Sequence, residues 1–367
     1  MNETWLDWSD QQRRILTANG KAEYYYCAAR GFPFHKQELP HTFFGKHSSD
    51  EFQKLLAKLR QQSCPIIGVW NRPLFVGEWE HSTDDLVYNI QTNAWFIDLR
   101  IPLWRLGAVF ASSYQDLTGT ELRLLARQHV FGGLTVCHTD KEHAPSFPHG
   151  FCGYATRYHT MDWNYLGNRR NRPNRWWIEP MPRNDRTWKE YSYAKNDAGQ
   201  YYYWERWESA VEEPPTAEKA KNAPIVLALQ RCGPYHGLIV VVGDHFNYCF
   251  HNVTDDTLQE WCQQSTTSPQ HIIDDAVGRG GYEEARRVLS RMNGGHGRIQ
   301  PKNAVQTEWR IDVSTEPWKH GTLLWEDVQL VGDPHDTATW RIHGNGEEWK
   351  VVECNLTCME ELESWLP

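Results

Sequence analysis

Arg72-Pro-Leu-Phe-Val-Gly-Glu-Trp-Glu80, Leu86-Val-Tyr-Asn-Ile-Gln-Thr92 and Trp95-Phe-Ile-Asp-Leu-Arg-Ile-Pro102 decide the fold. Apolar and aromatic residues recur at every second position: Leu86, Tyr88 and Ile90, then Trp95, Ile97, Leu99 and Ile101. A period of two sends alternate side chains to opposite faces of a sheet, so the stretch reads as three strands. Ser82-Thr-Asp-Asp85 is the first turn.

Working outward, further strands are expected near Leu134, at Tyr154–Trp163, at Arg175–Pro180 and at Trp188–Tyr193. Asn196-Asp-Ala-Gly199 is a hairpin turn leading into Gln200-Tyr-Tyr-Tyr-Trp-Glu-Arg-Trp-Glu208. One short helix, Thr120–His129 ended by Gly132-Gly133, interrupts them. So many short strands with so little helix mean antiparallel β, closed as a barrel or stacked as a sandwich. Ahead of them, residues 1–70 read as a helical flank. There Ser48-x-x-Glu51 is a capping box, and Phe52, Leu55, Leu56 and Leu59 follow at helical spacing.

Beyond residue 208 the pattern breaks. Residues 209–224 are rich in Pro, Glu, Lys and Ala, have little to bury and read as a linker. Residues 225–367 form a second unit. Its strands are Ile225–Leu229, Leu238–Val242 and several near the C-terminus, with a helical insertion at Asp256–Gln264 and Tyr282–Met292, the latter stopped by Asn293-Gly294. A chain of 367 residues exceeds one average core, which agrees with two domains, 71–208 and 225–367.

Aromatic residues make up 13% of the chain, with 19 Trp, and bulky rings suit pleated surfaces and pocket walls. The net charge of -9 argues against nucleic acid as the main partner, because phosphate binding needs a positive surface. The basic run Arg169–Arg175 before Trp176-Trp177 then reads as a solvated loop. No apolar run is long enough to span a bilayer, so no membrane role is expected. The acidic opening residues and nine scattered Cys fit a cytoplasmic protein with reduced thiols.

Two segments, Tyr235-His-Gly-Leu-Ile-Val-Val-Val-Gly243 and Gly346-Glu-Glu-Trp-Lys-Val-Val-Glu353, together with Glu205-Arg-Trp207 just before the linker, carry a resemblance. They resemble a fungal family named for interacting with a casein-kinase-type enzyme. Ile90-Gln-Thr92 and Asp98-Leu-Arg-Ile-Pro102 are also similar to a set of uncharacterised bacterial proteins. The resemblance spans about residues 70–355 and implies two lipocalin-like antiparallel β-barrels. It also implies a possible protein partner, and it implies no activity. Two features depart from it: the helical leader, and a longer Arg/Trp-rich segment from Asp162 to Tyr193.

Polar residues facing into a closed barrel are the candidates for chemistry. Tyr201, Tyr203, Glu205 and Trp207 share one strand face, as do Arg157, His159 and Met161. In a dry lumen, desolvation would raise the Glu205 pKa and suit it to acid/base work; the alternative is an ion pair with an Arg from a neighbouring strand. His159 is the second proton-handling candidate. Arg157, Tyr203, Trp207, Gln91 and Arg100 are candidate binding residues. Asp98 and Arg100 are either a surface pair, the simpler placement, or members of a polar lumen.

Cys137, His138, Asp140 and His143 cluster in sequence, but their spacing matches no established ligand pattern, so no metal is expected. No Gly-x-Ser-x-Gly elbow and no nucleotide loop occur, and no cofactor is expected. Together these readings point to a small apolar or aromatic guest in the first barrel, with cofactor-free isomerase or lyase chemistry, or else to a non-catalytic interaction protein.

Overall fold

In the computed structural model, the residues described are 57, 59, 62, 64–77, 81–138, 146–150, 153–165, 174–181, 186–193, 195–196, 198–211, 224–233, 236–252, 269–303 and 306–367. Most of the expected helical flank, the 139–145 part of the Cys/His loop, most of the basic run, most of the linker and the expected helix 256–264 lie outside them.

The first sheet contains β1 (Gly68–Gly77), β2 (His81–Ser82), β3 (Asp85–Gln91), β4 (Trp95–Pro102), β5 (His129–His138), β6 (Gly153–Asp162), β7 (Asn174–Pro180), β8 (Thr187–Ser192) and β9 (Tyr203–Ser209). Neighbours in the sheet follow chain order, and β9 returns to pair with β1. The result is an eight-stranded, up-and-down antiparallel barrel, with two-residue β2 as an appendage on β1.

The second sheet contains β10 (Val226–Arg231), β11 (His236–Val242), β12 (His245–His251), β13 (Met292–Pro301), β14 (Thr307–Ser314), β15 (Val328–Val331), β16 (Arg341–Gly344) and β17 (Glu347–Cys354). Its order is β14-β13-β12-β11-β10-β17-β16-β15. It curls over an apolar core that includes Trp309, Trp325, Trp340 and Trp349, as half a barrel.

The alternation in β4 has an unexpected reading. Trp95, Ile97, Leu99 and Ile101 do not fill the barrel. They face outward and share one core with Leu238, Val240, Val242 and Cys249 of the second sheet. Their opposite numbers, Phe96, Asp98 and Arg100, face the lumen. Asp98 is fully buried there, so the surface-pair placement gives way to a polar lumen. Both faces of the strand are covered because a second sheet lies against the barrel wall.

Three helices complete that shared core: α1 (Gly119–Leu125), α2 (Pro269–Gly278) and α3 (Tyr282–Leu289). Thr118 caps α1 through the Glu121 backbone N–H, and the Glu121 carboxylate accepts from the Thr118 N–H in return. Arg127 donates two bonds to the Asp274 carboxylate at 2.7 and 2.6 Å, fixing α2 beside α1.

Two boundaries and one helix differ from the sequence reading. The chain turns to strand at His129, so Gly132-Gly133 lies inside β5 and not at a helix end. A side-chain carbon on Gly133 would meet the Tyr158 carbonyl oxygen at 2.0 Å, which is why glycine stands at this bulge. Helix α3 stops at Leu289, and Asn293-Gly294 already belongs to β13. Helix α2 had no counterpart in the expected elements.

Candidate functional site in the first barrel

The inner face of the barrel carries a stack of indole rings and a group of buried charges. Trp176 and Trp207 stack on the two faces of Trp188, with ring centres 5.6 and 5.5 Å from it, and Trp70 meets the edge of Trp188 at 5.9 Å. Beside this stack sit Arg72, Glu205, Glu190, Arg157 and Asp98, all at least nine-tenths buried. Burying so many charges is tolerable only if they are paired and hydrogen-bonded.

Most are paired. Arg72 donates to Glu205 Oε1 at 2.9 Å and to Asp85 Oδ2 at 2.8 Å. Arg100 Nε donates to Asp98 Oδ1 at 2.8 Å, and Asn89 Nδ2 donates to Asp98 Oδ2 at 3.1 Å. Burial would raise the Asp98 carboxyl, but Arg100 and Arg157 hold it below its ordinary value. Arg157 lies 4.1 Å over Phe96 and 5.2 Å over Trp176, and donates to Gln91 Oε1 at 3.2 Å.

The remaining acid is Glu190. It is the direct cross-strand partner of Glu205, and the Tyr203 hydroxyl donates to its Oε1 at 2.8 Å. Burial, with the Glu205 charge beside it, pushes the Glu190 carboxyl up to about 8. Near neutral pH, Glu190 is therefore a carboxylic acid and a proton donor. It sits next to an Arg-bound carboxylate.

Strand parity grouped Tyr203 with Glu205 and Trp207, and Arg157 with His159, and left Gln91 and Arg100 open; Glu205, Tyr203, Trp207, Arg157, Gln91 and Arg100 all stand on the inner face of the barrel. His159 is there too, but its commitments lie elsewhere. It stacks on Phe131 with ring centres 4.6 Å apart and sits 2.5 Å from Asp162 Oδ2 through Nδ1. Asp162 Oδ1 is 2.8 Å from His129 Nε2. Burial would raise the Asp162 carboxyl, yet the two imidazoles hold it well below the usual range. The group that the fold sets beside Glu205 is Glu190, not His159.

Glu190 was legible in principle. Trp188, Glu190 and Ser192 alternate as Tyr203, Glu205 and Trp207 do, and the two strands are joined by a hairpin. Arg72 was hidden by a bulge in β1 between Asn71 and Leu74, which breaks simple parity.

Several buried polar atoms on this inner face have no hydrogen-bond partner among the described residues. They are Glu205 Oε2, Arg157 Nε, Asn89 Oδ1 and the indole N–H groups of Trp176, Trp188 and Trp207. An unmet buried donor or acceptor costs about 1–3 kcal/mol, and folded proteins keep few of them. They come from β3, β6, β7, β8 and β9 and leave the inner face with unmet donors and acceptors beside the stacked indoles.

No family model matches the chain, and no curated protein does. It is similar to one solved yeast structure. That structure is the uncharacterized protein YLR301w from Saccharomyces cerevisiae, 13% identical, with a TM-score of 0.45 over 78% of this chain and 98% of that one. A likeness of that degree carries no argument about function.

The Cys137–His143 segment is described only at its start. Cys137 Sγ lies 3.1 Å from Cys64 Sγ, and the His138 ring stacks on Tyr154. Among the described residues, no group of three or more His, Cys, Asp or Glu side chains is placed to hold a metal. No described helix is long and apolar enough to cross a membrane.

Proposed function

We propose that the first barrel binds a small, flat, partly polar molecule and moves a proton on it without a cofactor. The observation that carries this is the in-register pairing of two buried acids, Glu190 and Glu205, on the aromatic-lined inner face of the barrel, where burial and the neighbouring acid push the Glu190 carboxyl up to about 8. The unpartnered Glu205 Oε2 removes a proton from one atom of the guest. Glu190 gives its proton to another atom, and a proton passing between the two carboxyls restores the starting state. The net change is an isomerisation; if a bond to a leaving group breaks instead, it is an elimination. Arg157 and the Trp stack orient the guest, and Arg72 holds Glu205 by its Oε1.

Native mass spectrometry of the chain purified from its source tests this reading. A retained small molecule in the wild type, lost in Glu205→Gln, is expected. Protein free of any guest in both, with no change on adding candidate enols or carbonyl compounds, would overturn it.

A second reading rests on a different surface. Leu103, Leu106 and Phe110 are 45%, 38% and 87% exposed in the segment after β4. Exposed apolar groups of this kind are what a protein partner covers, and the resemblance to the fungal casein-kinase-interacting family points the same way. Under this reading, replacing Phe110 with Ser abolishes capture of a partner while guest retention is unchanged.

A further inference from the structure

The concave face of the second sheet holds a cleft of about 350 Å³, far from the acid pair of the first barrel. Tyr248, Phe250 and Trp325 form its aromatic wall, with Leu324 and Ile311 beside them. The opening depends on β13. Gly295 is the cross-strand partner of Tyr248, and a side-chain carbon there would lie 2.6 Å from the tyrosine ring. Glycine at this position lets the ring lie along the sheet, and the Tyr248 hydroxyl then reaches Ser314 Oγ at 2.9 Å. The ring is fixed before any guest arrives.

One polar group in this wall is unmet. Asn293, the cross-strand partner of Phe250, is 5% exposed and lines both this cleft and an adjoining one of about 350 Å³. Its Oδ1 has no hydrogen-bond partner among the described residues. The cations at the rim are already matched, Arg231 with Glu347 and Lys319 with Glu316, the latter at 2.5 Å. Arg287 and Arg291 line the adjoining cleft, together with Glu316.

The geometry points to a second binding site here, for an uncharged aromatic molecule carrying one N–H or O–H donor. The ring packs against Tyr248, Phe250 and Trp325, and the donor bonds to Asn293 Oδ1. Each rim cation of the cup is already held by a carboxylate, which favours an uncharged guest over an anion. A flat ring meets the aromatic wall, and the buried acceptor rejects a pure hydrocarbon because its one polar atom would stay unpaired.

Indole and indene, its hydrocarbon counterpart without the N–H, are the probes. Both are titrated against the full chain by calorimetry, in the wild type and in Asn293→Leu. Indole is expected to bind about tenfold more tightly than indene, the effect of one hydrogen bond, and N293L should bring indole down to the indene value. In the wild type, nuclear Overhauser contacts from indole should reach Trp325. Equal affinities, no indole binding, or a preference that survives N293L would overturn the site. So would contacts to Trp207 in place of Trp325, a readout that holds even if N293L folds poorly. Glu190→Gln and Glu205→Gln, which disable the first barrel, leave the indole result unchanged, so the two sites fail separately.

Discussion

Glu190 and Glu205 are paired in register on adjacent strands of a closed barrel, side chains inward, 4% and 3% exposed. Two carboxylates at that spacing in a dry interior repel strongly if both are ionised. Arg72 bonds one of them, and Tyr203 donates to the other. Burial and the neighbouring Glu205 push the Glu190 carboxyl up to about 8, so Glu190 is the acid of the pair that resists ionisation.

Replacing Glu190 with Gln should abolish a pH dependence. The Glu190 carboxyl is raised from 4.5 to about 8 in the folded chain. Between those values the unfolded chain has released a proton that the folded chain keeps. Stability from this group is thus fully present below the unfolded value and lost as pH rises through the folded one. Glu190→Gln keeps the neutral form at every pH. Denaturant midpoints should show the variant gaining on the order of 2–4 kcal/mol over the wild type near pH 9, and little near pH 5.

Arg72→Leu should be among the most damaging single changes in the barrel, costing about 3–5 kcal/mol by stranding the buried Glu205 charge. Adding Glu205→Gln removes that charge and should recover at least about 1 kcal/mol. The check is a double-mutant cycle on unfolding free energies. Strict additivity would show that the two side chains do not act as a pair.

Glu353 of β17 clamps the two sheets together. It accepts from the Thr92 hydroxyl at 2.7 Å, the Asn93 N–H at 2.9 Å and the Ala94 N–H at 3.1 Å, all in the turn between β3 and β4. Glu353→Gln turns an amide NH2 toward donors. A loss of about 2 kcal/mol is expected, along with faster hydrogen exchange at Asn93 and Ala94 than at the β10 amides.

Gly133→Ala should prevent barrel closure, because the added carbon overlaps the Tyr158 carbonyl at 2.0 Å and backbone on a paired strand cannot retreat. Near-ultraviolet circular dichroism is the measurement. A native tryptophan signal from the variant would show that the bulge can relax.

These expectations also show what the sequence made legible. Period-two alternation was enough to recognise the strands, and it grouped Tyr203, Glu205 and Trp207 on the correct face. It could not say which face of β4 was the lumen, since Trp95, Ile97, Leu99 and Ile101 look like core whichever way they point. A strand covered by a second sheet is apolar outside, and only the tertiary packing reveals that Asp98 is the inward residue. Glu190 escaped notice because its neighbours Lys189 and Tyr191 give no sign of burial, whereas Glu205 is flanked by rings at every second position. Arg72 lies at a bulge, where counting by twos fails. His159 was placed on the inner face, but its tie to Asp162 depends on a second irregularity, the bulge opposite Gly132 and Gly133.

The central claim is a neutral carboxylic acid at Glu190 in the working pH range, and carbon-13 resonance of glutamate side chains reads it directly. In protein labelled at the glutamate carboxyl, with the Glu190 signal assigned by its loss in Glu190→Gln, that signal should move from the acid to the carboxylate position with a midpoint near 8. A Glu190 carboxyl that is already ionised at about pH 6, with its midpoint at the ordinary glutamate value, would contradict the account.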